Sequence, residues 1–95
     1  MEKRDLYLEK INAQVDQYSA KLAEMRGKAA EANVDMKLEY LNQVEKLEGK
    51  RDDLKEKYEQ LRKASDSAWE DMKEGTENAW NEFKEAVTKA TGHFK

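Results

Sequence analysis

The sequence predicts an all-α fold, a long-helix coiled-coil helical hairpin, on three observations. An apolar stripe recurs at spacings of three and four from Leu8 to Leu61 without a break. Proline, which ends helices, is absent. The composition, 38% hydrophobic and 41% charged, is too polar for a large compact core but suits helices solvated along one side. At 95 residues the chain is read as one domain, residues 1–95: a long helix over about 3–63, a turn over about 64–67 and a return helix over about 67–92.

The stripe of the long helix runs Leu8, Ile11, Val15, Tyr18, Leu22, Met25, Ala29, Asn33, Met36, Tyr40, Val44, Leu47, Arg51, Leu54, Tyr58 and Leu61. At about 100° per residue these positions fall within an arc of roughly 100°, on a helix that would extend roughly 90 Å. Leu8 to Met25 follows heptads. The steps Met25–Ala29–Asn33 and Met36–Tyr40–Val44 then insert consecutive fours, which unwind a left-handed supercoil locally, and heptads resume to Leu61. Acid-to-lysine pairs four apart support the outer face at Glu24/Lys28, Asp53/Lys57 and Glu59/Lys63. Gly27 and Gly49 weaken it, each by up to about 1 kcal/mol relative to alanine. Gly27 also has a second reading, as a C-cap followed by a turn through 27–34, which would give a compact three-helix bundle instead.

Two members of the stripe are polar, Asn33 and Arg51. Inside a coiled coil such residues fix register or oligomer state at a cost in stability, although an arginine can also snorkel to solvent. Val34, Leu38 and Leu41 form a second apolar patch about 90° from the stripe, the best candidate for an oligomer contact.

Ala64-Ser65-Asp66-Ser67 marks the turn, and Ser67 with Glu70 reads as a capping box. Glu70, Asp71 and Glu74 crowd the start of the return helix, while Lys84, Lys89 and Lys95 lie toward its end, as the helix dipole favours. This helix repeats every eleven residues: Trp69 aligns with Trp80, Met72 with Phe83 and Phe94, Thr76 with Val87, Ala79 with Ala90, and Lys73 with Lys84 and Lys95. Eleven residues make almost three whole turns, so the set lines one face with little twist. That face is expected to pack on the first helix, with Trp69, Met72, Trp80, Phe83 and Val87 against Val44, Leu47, Leu54, Tyr58 and Leu61. The alternative is a binding module that offers the Trp69/Trp80 face to a lipid surface or a client protein. Against the lipid version, the polar face is acidic, whereas interfacial helices are usually rich in lysine and arginine.

Charge excludes other partners. Residues 1–63 carry fourteen basic and fourteen acidic residues, and residues 64–95 carry four and seven, which gives the net −3. No basic patch invites nucleic acid or an anionic bilayer. Cysteine is absent, which removes disulfides, thiolate catalysis and cysteine zinc sites. The single histidine, His93, has Ala90 and not glutamate three residues before it, so no Glu-x-x-His di-iron motif exists. No phosphate-binding glycine loop is present. The expectation is no enzyme, no metal, no cofactor and no nucleic-acid partner. Met1-Glu2-Lys3-Arg4-Asp5 is charged and followed by no apolar run, so neither a secretory leader nor a membrane span is expected and the cytoplasm is the expected compartment.

Ala64, Ser65, Asp66, then Ala68, Trp69, Glu70, Asp71, then Lys73, Gly75, Ala79 and Trp80 resemble the pattern of a family of small bacterial coiled-coil stress-response proteins best known from cyanobacteria. The likeness covers about the last third of the chain, and the preceding coil only in character. It implies a bacterial, soluble, stress-linked role and supplies no catalytic residues.

The hairpin geometry itself implies self-association. A return helix of about 26 residues spans roughly 40 Å and covers only about residues 37–63. Leu8, Ile11, Val15, Tyr18, Leu22 and Met25 would then need a second chain, most simply antiparallel about a two-fold axis. The interface and packing candidates are therefore these six with Val34, Leu38, Leu41, Trp69, Trp80 and Phe83.

Overall fold

The computed structural model describes the backbone of residues 3–93 and the side chains of residues 3–92. Phe94 and Lys95 of the eleven-residue repeat lie outside the described residues. Three helices follow one another: α1 Lys3–Glu31, α2 Val34–Arg62 and α3 Asp66–His93. The all-α class holds. Arg26 of α1 pairs with Glu48 of α2, and Arg4 reaches Asp66 at the start of α3, so α2 runs antiparallel to α1 and α3 runs parallel to it. The molecule measures 51 × 20 × 17 Å, too short for an extended helix over 3–63. Of the two arrangements compatible with the sequence, the chain adopts the compact three-helix bundle.

The correction concerns residues 32–33. α1 ends at Glu31, where Ala32 N donates to Ala29 O at 3.2 Å and tightens the last turn. Asn33 then takes an extended conformation (φ −66°, ψ 162°), and its side chain accepts from Met36 N at 3.2 Å. It is thus the N-cap of α2 and no inward coiled-coil position. An asparagine cap satisfies one of the free N–H groups that every helix start exposes. The break needs no glycine: no described residue has positive φ, and Gly27 lies inside α1 and not at its end.

Folding back is driven by what it buries. Ile11, Val15, Leu22, Met25 and Ala29 of α1 join Val44, Leu47 and Leu54 of α2 and Trp80, Phe83, Val87 and Ala90 of α3 in one core. Each large apolar side chain fully buried contributes about 1.5–3 kcal/mol. A straight helix would leave the α1 set in water unless a second chain covered it. Apart from Asn33 and Met36, which is 42% exposed beside the turn, the stripe read from sequence faces the same core on both sides of the break.

The second turn lies close to its expected place. Lys63 caps α2: its N–H donates to Gln60 O at 3.2 Å, and the N–H of Ala64 donates to Leu61 O at 3.1 Å. α3 begins at Asp66, where Ala68 N donates to Ser65 O at 3.1 Å. The Ser67 hydroxyl meets that of Ser65 at 3.1 Å.

Gly49 lies mid-α2, and a Cβ built there meets nothing within 4 Å. Gly49→Ala should therefore raise stability by about 0.5–1 kcal/mol, since it restricts the unfolded chain at no steric cost. A higher urea midpoint at unchanged slope is the expected reading.

Candidate functional site

The residues singled out from sequence separate into an interior set and a surface set. Ile11, Val15, Leu22, Met25, Trp69, Trp80 and Phe83 are buried, while Leu8 and Tyr18 are half-buried. The α1 members need no second chain, because α2 and α3 of the same chain cover them. Within the patch Val34, Leu38 and Leu41 the outcome is mixed. Val34 is 87% exposed and Leu38 68%, but Leu41 is half-buried against the core and does not belong to the outer surface. Met72, expected on the packing face of α3, is 39% exposed. Arg51 is half-buried and bonds Asp52 with Nε at 3.2 Å and Nη2 at 3.1 Å, the snorkelling option.

The eleven-residue repeat of α3 has a counterpart in α1. Tyr7 and Tyr18 are also eleven apart, and because the two helices are parallel the same contact forms twice. Tyr7 meets Trp69 edge-on, centroids 6.0 Å apart at 81°, and Tyr18 meets Trp80 at 5.1 Å and 78°. Tyr18 also touches Phe83 at 6.1 Å. Edge-to-face pairs add about 0.5–1.5 kcal/mol beyond the area they bury. The ring neighbours of Trp69 and Trp80 on α1 are thus tyrosines, which the sequence did not anticipate, while α3 shares one core with Val44, Leu47 and Leu54 of α2 as expected. Both indoles are covered, and offering them to lipid or a client would require α3 to lift from the bundle.

Arg4 closes the end of the bundle. It donates to Ala64 O at 2.8 Å and to Asp66 Oδ1 at 3.0 Å, and its guanidinium stacks 4.3 Å from the Trp69 ring centre. The carbonyl it holds is in the α2–α3 turn, so one side chain ties the start of α1 to the other two helices. In the sequence Arg4 was one charge in a charged start, and nothing local marked it. Tyr7 was missed because it falls beside the stripe, although its spacing to Tyr18 matches that of the tryptophans.

The Tyr7 hydroxyl is buried with no hydrogen bond of good geometry. Burial first, then the charge of Glu77 and a loose hydrogen bond to it, raise its ionisation well above the ordinary phenol range. The neutral form is the one the fold accommodates, so this contribution to stability is present below pH 10 and falls away as pH rises beyond it. Tyr7→Phe should be within about 0.5 kcal/mol of neutral or mildly stabilising, because it removes an unsatisfied hydroxyl and keeps the ring. It should also blunt unfolding in an alkaline titration followed by circular dichroism.

Two grooves follow the α2–α3 seam on its outer side. One, of about 230 Å³, is lined by Lys57, Gln60, Asp71, Met72, Gly75 and Thr76. The other, of about 290 Å³, has Leu47, Ala86 and Ala90 as its floor, with Gln43, Lys46, Lys50 and Lys89 around them. Three ammonium groups thus surround an apolar floor in a chain of net charge −3. Glu82 and Glu85 are the nearest acids along α3, one turn before Ala86 and Lys89. Among the described residues no group of three His, Cys, Asp or Glu side chains is placed to hold a metal ion, and no helix is long and apolar enough to cross a membrane.

No family model, no curated protein and no solved structure matches the chain.

Proposed function

We propose that this protein is a non-enzymatic, self-associating helical module, a structural component of the bacterial cytoplasm linked to the stress response. One observation carries the self-association: Val34 and Leu38 stand 87% and 68% exposed, one turn apart, ahead of Leu6 at 53%, Met36 at 42% and Met72 at 39% among the described residues. Exposed apolar side chains clustered on one face commonly mark a contact surface. The stress-linked and bacterial part rests on the resemblance of the segment from Ala64 to Trp80.

The test is sedimentation of the full chain across a wide concentration range. A weight-average mass rising well above 11.1 kDa with concentration is expected. A mass that stays at the monomer value at every concentration overturns the proposal.

A further inference from the structure

We infer that the contact is heterologous: Val34 and Leu38 of one copy enter the lysine-rimmed α2–α3 groove of a second copy. This rests on the self-association proposed above and names its surfaces.

Shape is the first argument. Val34 and Leu38 are separated by one helical turn, about 6 Å along the axis. Ala86 and Ala90 of the groove floor are separated by the same turn on α3, and their short side chains leave the hollow that two larger ones would fill. Leu47, a core residue that is 4% exposed, completes the apolar floor.

Charge is the second argument, and it chooses the occupant. From residue 31 to residue 45 the chain carries Glu31, Asp35, Glu39 and Glu45 against the single base Lys37. Glu45 shares the helix face of Val34 and Leu38, about 20° from each. The groove presents Lys46, Lys50 and Lys89. An acid-flanked apolar ridge and a base-flanked apolar groove are complementary, whereas two copies of the ridge placed face to face would oppose like charges.

Geometry sets the consequence. Leu38 and Leu47 are nine residues apart, half a turn out of phase, so ridge and groove lie on opposite sides of α2. A copy that fills one partner's groove keeps its own groove open. Such contacts continue into a ring or an open filament and do not stop at a two-fold dimer. An interface built on two apolar side chains belongs to the small, weak class, so it is read at high protein concentration and weakens with added salt.

Complementation of two surface variants tests this. Val34→Gln/Leu38→Gln removes the ridge and keeps the groove; Lys46→Glu/Lys50→Glu reverses the groove and keeps the ridge. Each alone should sediment as a monomer where the unaltered chain forms species larger than a dimer. Mixed in equal amounts they should form a dimer and no larger species, with helical content unchanged by circular dichroism. A mixture that stays monomeric while the unaltered chain associates overturns the ridge-in-groove contact and leaves self-association by another surface. An unaltered chain that never associates overturns both.

Discussion

Phe83→Ala lowers the unfolding free energy by about 3–5 kcal/mol, the range for deleting a fully enclosed phenylalanine. The side chain is 0% exposed and lies in the core with Tyr18 of α1 and Trp80 of α3 at ring separations near 6 Å. Removing it leaves a void between helices that meet at that level, and the bundle can close the void only by shifting α3. Domains of this size are stable by about 5–15 kcal/mol in total, so the loss is a large share. Trp80→Ala should follow closely, because the indole is 8% exposed and packs edge-on against Tyr18. Urea unfolding followed by circular dichroism measures both. A midpoint that does not move for either variant would mean that α3 contributes little to the core.

Asn33→Ala converts part of the population to an elongated, domain-swapped dimer. Loss of the cap costs the closed turn about 1 kcal/mol. Alanine in place of asparagine also favours continuing the helix by several tenths of a kcal/mol. Together these shift the balance between turn and continuous helix by roughly 1.5 kcal/mol, about tenfold. The two halves of the apolar stripe remain in phase across residues 32–33, so a chain opened there presents one unbroken face from Leu8 to Leu61. α1 of each copy would then cover α2 and α3 of the other through the contacts it makes in the closed bundle. Exchange of an identical element in this way creates few new contacts. Small-angle scattering should show a particle considerably longer than the 51 Å monomer. A variant dimer no longer than the monomer would exclude the swap.

Much of this architecture was legible in the sequence. Helical class followed from periodicity and from the absence of proline. The second turn followed from Ala64-Ser65-Asp66-Ser67, because serine and aspartate are residue types that favour helix caps and turns over helix interiors. The buried positions of α1 and α2 followed from spacing alone, as did the exposed Val34 and Leu38. Asn33 also carried a legible signal, an asparagine before Val34-Asp35 at a helix start, yet a coiled-coil position explained the same residue equally well. The groove of Leu47, Ala86 and Ala90 was not legible, since its walls come from residues about forty apart in the chain.

The sequence by itself determined that the chain is helical and most of the residues that face inward, with Met36 and Met72 wrongly included and Tyr7 left out. Only the tertiary structure decided that α1 turns back at Asn33 and is covered by its own chain, that Arg4 reaches Ala64 O, and that Tyr7 and Tyr18 meet Trp69 and Trp80. The physical reason is one of scale. At residues 32–33 the local preference between turn and helix is about 1 kcal/mol in size, the worth of a single cap. The burial gained by folding back is several times larger and depends on partners far along the chain, so no local reading of those two residues could weigh it.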